Sequence, residues 1–337
     1  MTALSATNPI LSDPETVFPG SSSGLMQSVE TSLLDHAGQA QSPLDEMIRH
    51  ILEAGGKRLR PRLAIACAEF GVPSRFELVA TATALEMIHM ASLIHDDVID
   101  ESATRRGRRT INRLWGNQTA VLAGDYLFSS AFRMLCSHRL YDVLVLLTGA
   151  IGMMCEGEIN QFASAYRPDY TREAYYDCIF RKTACLFAAS CQAGAMVAGC
   201  SPAELERLYE FGLHLGYAYQ ILDDILDLVA DPEKLGKPVG SDLSRGLLTL
   251  PTLLLLSDQR HGPWLRERLA SREPVPDYLA DLRERLSSSD ALAKSLDTFE
   301  QHLQSARDAV SGLPGGERRE TLSGTISRLS FEMAKHL

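Results

Sequence analysis

The chain has 337 residues, 45% hydrophobic and 23% charged, which is ordinary for a soluble globular protein and ample for a large core. A formal net charge of −10 argues against a nucleic-acid binder, whose binding face is basic. Seven scattered cysteines without a CxxC pair fit reduced core thiols in a cytoplasmic protein rather than zinc ligands.

Residues 1–24 are rich in Ser, Thr, Pro and Gly and read as a disordered or loosely attached tail. No Lys or Arg precedes Arg49, the wrong pattern for a secretory signal or an Arg-rich transit peptide. Helical text begins near Leu25, and residues 25–337 read as a single all-α domain. Ser42 is expected to cap a second helix, with Pro43 and Asp45 in its first turn and Gly55-Gly56 at its end. Lys57, Arg58, Arg60 and Arg62 crowd the start of a third. Cations there oppose the helix dipole, so the cluster suits a bound anion as well as a basic surface turn.

Residues 74–99 form a long helix apolar on most faces, expected to be buried among others. It ends in Asp96, Asp97 and Asp100, a DDxxD, and Arg105, Arg106, Arg108 and Arg109 follow. Further helices are expected over 117–136, 140–163 and 171–198. Thr171 caps the last of these, which carries Lys182 and Thr183 inside apolar text. Ser201, Pro202 and Glu204 open another helix, which ends in Asp223, Asp224 and Asp227. This is a second DDxxD, with Gln220 on the same face. A Gly/Pro loop then supplies Lys234, Lys237, Asp242 and Arg245, and helices return over 247–256 and 275–337. Convincing strand alternation is absent, so the class is all-α. No run of 18 or more apolar residues occurs, so no transmembrane segment is expected.

On a helix, Asp96 and Asp100 lie one turn apart with Asp97 beside them. Carboxylates that close repel unless a cation neutralises them, and their hard oxygens suit Mg²⁺. Arginines cannot ligate metal but fork onto phosphate oxygens. One such stretch alone also fits a solvated acidic helix end before a basic loop. The second DDxxD shifts the weight, because each ends an apolar helix and each precedes basic residues. They lie 127 residues apart (96 to 223), which suits two helices facing one cavity in a bundle. Their carboxylates would then hold several Mg²⁺ ions on a diphosphate whose other oxygens the cations clamp. Ala84, Met87, Ile88, Ala91 and Ser92 would make the wall below the aspartates largely apolar, which suits a hydrocarbon tail.

Seven segments in one order resemble the trans-prenyl diphosphate synthase (polyprenyl synthetase) family over about residues 45–253. They are GGKRLRP (55–61), HMASLIHDDVIDESATRRG (89–107), GD (124–125), GExxQ (157–161), KTAxLF (182–187), YQILDDILD (219–227) and GKPVGSDL (236–243). The resemblance implies a helical bundle around a deep cavity, usually a homodimer. It implies Mg²⁺-dependent head-to-tail (1′-4) condensation of isopentenyl diphosphate with an allylic diphosphate. By position, Asp96, Asp100 and Asp223 would be the firmest metal contacts, with Asp97, Asp224 and Asp227 supporting them. Arg105, Lys182, Thr183, Gln220 and Lys237 would hold the allylic diphosphate. Lys57, Arg60, His89 and Arg106 would hold isopentenyl diphosphate. One departure is Leu247, where the family commonly has lysine in DLxxGK; either Arg245 compensates or the site tolerates the loss.

Ala91 and Ser92, five and four residues before Asp96, sit where a growing chain must pass. Short-chain members of the family have large aromatics there as a floor. Here the floor is open down to Ile88, Met87 and Ala84. Each helical turn opened deepens the tunnel by about 5 Å, roughly one isoprene unit, so a product of about C30 or longer is expected. Met87 is the residue that would instead stop it earlier, at about C20–C25, and a short-chain geranylgeranyl or farnesyl diphosphate synthase is the alternative reading. A phosphohydrolase built on His95 and Asp96 leaves the second DDxxD unexplained, and a terpene cyclase usually carries a different second motif. A non-enzymatic partner subunit would be expected to lose aspartates, and none is lost.

Overall fold

The computed structural model describes residues 23–230 and 239–336. The chain begins with α1 (Ser23–Gln39), α2 (Leu44–Glu53), α3 (Leu59–Ala68) and α4 (Arg75–Ile99). A hairpin of β1 (Thr104–Arg105) and β2 (Arg108–Arg109) leads to α5 (Ile111–Trp115), α6 (Asn117–Ser137) and α7 (Tyr141–Ala163). Then come α8 (Arg172–Ile179), a π-helical turn (Phe180–Ala184), α9 (Cys185–Val197) and α10 (Pro202–Val229). The remainder is α11 (Ser241–Ser244), α12 (Leu250–Leu256), α13 (Gly262–Ser271), α14 (Val275–Ser288), α15 (Ala291–Ser311) and α16 (Gly316–His336). The all-α expectation holds. The tail expected over residues 1–24 lies outside the described residues up to residue 22, and helix begins at Ser23.

Two compact units divide the chain. The first takes the residues through Thr148 together with Ala189–Tyr209 and Leu313–Thr325. Its centre is α4, packed against α6, α3 and α1. Leu85, Met87, Ile88 and Ile94 are each no more than 1% exposed. Each such side chain removed from water contributes about 1.5–3 kcal/mol. Glu86 sits in the same buried stretch and is matched by Arg58, which donates to it at 2.9 Å and to Glu30 at 2.7 Å. By length and hydropathy α4 is the one described helix that meets the requirement for a membrane span, which qualifies the expectation of none. In its most apolar window 72% of residues are buried inside the protein, so core packing accounts for its composition.

The second unit takes Gly149–Ala188, Glu210–Gly312 and the residues from Ile326. Here α12 packs on α15, α13, α14 and α8. Thr171 caps α8 as expected, its hydroxyl accepting from the Ala174 N–H at 3.2 Å. Three local expectations are corrected. Residues 171–198 are not one α-helix, because the backbone widens into the π-helical turn at Phe180–Ala184. Ser42 does not cap α2: Pro43 holds that position and the Ser42 hydroxyl donates instead to Glu46 at 3.2 Å. The β1–β2 pair, two residues per strand, is too short to leave an alternation signal.

Gly216 of α10 lies against the π-helical turn, and a Cβ built there would stand 2.6 Å from the Ala184 Cα. Backbone cannot yield as a side chain tip can. Gly216→Ala is therefore expected to lower stability by about 1–3 kcal/mol, read as an earlier urea midpoint. An unchanged midpoint would contradict the close approach.

Candidate active site

In the first unit the site begins where α4 ends. Asp96 and Asp100 are half-buried, and the Asp100 N–H closes the last turn on the Asp96 carbonyl at 2.8 Å. Asp97 points the other way and is 5% exposed. Arg105 grips both its oxygens, with Nε at 2.9 and 3.0 Å and Nη2 at 2.8 Å. Burial and the neighbouring Asp100 push the Asp97 carboxyl up, against the pull of Arg105. The β1–β2 hairpin is tied to the end of α2: Arg106 Nη1 donates to the Gly55 carbonyl, and Arg108 pairs with Glu53 at 3.2 Å. Gly56 leaves room for this, because a Cβ there would stand 2.7 Å from Arg106 Nη1.

His89 lies about two α4 turns before Asp96. Burial first, then the charges of Arg60, Arg106, Arg105 and Arg58, hold its imidazole well below the ordinary range. Thus a neutral ring sits in the field of four guanidiniums, which is an anion's surroundings. His89, Arg60 and Arg106 are brought together as the sequence suggests; Lys57 is half-buried just before α3. Arg58 is not a candidate ligand holder, because Glu30 and Glu86 occupy it. His95 faces the Val121 carbonyl through Nε2 at 3.1 Å, so that nitrogen carries the proton and cannot ligate metal. Gly124 makes the approach possible, since a Cβ there would collide with the His95 ring.

In the second unit the π-helical turn presents Lys182 and Thr183. Such turns recur at functional sites because they re-aim side chains. Lys182 does not snorkel: its Nζ meets Glu158 Oε2 and Gln161 Oε1, each at 2.7 Å. The Thr183 hydroxyl donates to Gln220 Oε1 at 2.7 Å, and Gln220 Nε2 donates to Asp224 Oδ1 at 2.8 Å. Tyr175 donates to the other Asp224 oxygen at 2.6 Å. Asp227 accepts from the Ser241 hydroxyl at 2.7 Å and from the Ser241 and Asp242 N–H groups at 3.3 Å. Asp223 is half-buried beside them. Arg245 is held by Asp242 at 2.9 Å, and Leu247 is buried at 5% exposure. Lys234 and Lys237 lie outside the described residues.

Each DDxxD therefore splits. Asp97, Asp224 and Asp227 are buried and receive hydrogen bonds from the protein; Asp96, Asp100 and Asp223 are more open. The donor set fits a hard divalent cation, being all carboxylate oxygen. Burial, Asp242 and Asp223 push the Asp224 carboxyl well above the ordinary range even with Tyr175 and Gln220 donating, which is the negative excess a cation relieves. Among the described residues no three His, Cys, Asp or Glu side chains are already gathered for a metal. Ala84, Met87, Ile88 and Ala91 are all buried on α4, and Ser92 turns its hydroxyl back onto the His89 carbonyl at 2.8 Å. Met87 borders a small cavity with Leu33, Ile48, Leu52, Tyr126 and Leu127.

Tyr175, Glu158 and Asp242 were not among the sequence-derived site residues. The GExxQ and GKPVGSDL segments pointed to the last two, but nothing local marks Tyr175. Tyr175→Phe leaves the buried Asp224 short of a donor. It is expected to lower stability by about 1–3 kcal/mol in metal-free protein. A calorimetric midpoint equal to the parent's would contradict the role given to this hydroxyl.

The chain is similar to known proteins over most of its length. The polyprenyl synthetase family pattern matches residues 41–282. Heptaprenyl diphosphate synthase component 2 of Geobacillus stearothermophilus is 41% identical over 86% of this chain and 90% of its own. Octaprenyl diphosphate synthase of Escherichia coli is 36% identical over 89% of this chain and 93% of its own. A crystal structure of a Caulobacter crescentus polyprenyl synthase, complexed with calcium and isoprenyl diphosphate, superposes with a TM-score of 0.86. It is 33% identical and covers 94% of this chain and 96% of its own. This chain belongs to the polyprenyl synthetase family and is a trans-prenyl diphosphate synthase.

Proposed function

We propose that the chain extends an allylic diphosphate with isopentenyl diphosphate, head to tail, to a trans product of about C30 or longer. The observation that carries this is that both acidic helix ends combine buried, hydrogen-bonded aspartates with more open ones, while Arg105 and Lys182 are each held in place by a carboxylate. Mg²⁺ is the proposed cofactor, and when bound it would neutralise charge on the departing diphosphate. Asp96, Asp100 and Asp223 are its proposed ligands, backed by Asp97, Asp224 and Asp227. The two units are proposed to act as one catalytic domain, and the cytoplasm is the proposed location, in keeping with seven free cysteines.

Arg105, Lys182, Thr183, Gln220 and Lys237 are proposed to grip the allylic diphosphate. As its C–O bond ionises, charge grows on the leaving oxygens and these donors stabilise it. Lys57, Arg60, Arg106 and neutral His89 are proposed to hold isopentenyl diphosphate so that its double bond faces the new cation. The bond forms there and the proton is lost to the departed diphosphate. No side chain need act as nucleophile. On α4 itself, Ala91, Ile88, Met87 and Ala84 put no aromatic ring on the wall below the aspartates, which supports a path for a long product.

A homodimer is proposed on the exposed stripe of α7. Val145, Ile159 and Phe162, at 71%, 67% and 48% exposure, flank Gly149 and Gly152 on one face. A second reading is that the partner is a different subunit, which the name of the Geobacillus relative, component 2, favours.

Purified chain given Mg²⁺, farnesyl diphosphate and labelled isopentenyl diphosphate is expected to make products of about C30 or longer. A dominant C15 or C20 product would contradict the open wall. Failure to incorporate label until a second protein is added would favour the second reading. Ala91→Phe is expected to shorten the product by one or more units, with rate largely kept; an unchanged product distribution would count against α4 as the ruler.

A further inference from the structure

Within the second unit, α10 and α15 bring two imidazoles together. His214 Nδ1 and His302 Nδ1 stand 3.0 Å apart, with ring centroids 5.3 Å apart. Both rings are half-buried. Tyr217 stacks on His302 at 4.9 Å and Tyr176 lies 6.0 Å from it, so the rings are held by aromatic neighbours. Two nitrogens so placed either share one proton or offer their lone pairs to one electrophile. Burial lowers both groups, and His302, beside His214, falls to about 4, so the pair is neutral at physiological pH. Neutral imidazole is the ligating form.

A tetrahedral ion with bonds of about 2.05 Å to nitrogen holds its ligand atoms about 3.3 Å apart. The rings need open only by a few tenths of an ångström. We infer that His214 and His302, with water completing the shell, form a site for a zinc-class divalent transition metal ion. Nitrogen donors favour such an ion over Mg²⁺, so the two metal types would sort between this site and the carboxylates. The ion would staple α15 to α10, whose second DDxxD begins nine residues beyond His214 (214 to 223).

Cu²⁺ is the probe, being the tightest-binding ion of the series. With Mg²⁺ in excess, one equivalent of Cu²⁺ on the full chain is expected to give an electron paramagnetic resonance spectrum split by two imidazole nitrogens. His302→Gln keeps a hydrogen-bonding group beside His214. It is expected to leave one nitrogen coupling, weaken Zn²⁺ binding by at least about tenfold and preserve the metal-free Tm. His214→Ala should do the same to the spectrum, and His138→Ala should change nothing. A spectrum with oxygen ligands only, or a two-nitrogen spectrum that survives His302→Gln, overturns the site and leaves a plain hydrogen bond.

Discussion

The constraint behind this architecture is the cost of holding carboxylates at the ends of apolar helices. An aspartate set into a low-dielectric wall must be neutralised by a cation, by hydrogen-bond donors or by its own proton. The chain uses donors and fixed cations for half of its aspartates. Arg105 takes Asp97, Tyr175 and Gln220 take Asp224, and Ser241 takes Asp227. The other half, Asp96, Asp100 and Asp223, stand at more open positions. Buried partners fix the helix ends, so the open carboxylates are positioned before any ligand arrives. That is preorganisation, and it is what charge-stabilising catalysis needs.

The cations obey the same logic. Lys182 is aimed by a π-helical turn and steadied by Glu158 and Gln161. A lysine on a flexible stem would lose much side-chain entropy on binding phosphate; one already paired loses less. Burial first, and then the guanidiniums around it, keep the His89 ring neutral, so it can donate one hydrogen bond without adding charge. Leu247 and Arg245 show where the family pattern is relaxed. The leucine joins the core and the arginine serves Asp242, so Arg245 is committed to the loop and does not simply replace the missing lysine.

Much of this was legible in the sequence, because it is set by local period and side-chain type. The long apolar α4, both DDxxD sets and the Thr171 cap depend on residues a few positions apart. The division of labour among the aspartates was not legible. The hydroxyl that holds Asp224 comes from 49 residues away. Nor was the π-helical turn, since FRKTA reads as a continuation of the helical text on either side and no residue type marks the wider turn. The role of Arg58 was hidden inside a run of four cations, and only the burial of Glu86 separates it from Arg60.

The two aspartate sets are proposed to serve one diphosphate. A double-mutant cycle on kcat/KM tests it most directly, using Asp96→Asn, Asp223→Asn and the pair. If both act on one leaving group, each single change should cost about 10²–10³-fold and the double little more than the worse single. Losses that multiply, as independent sites require, would contradict the account.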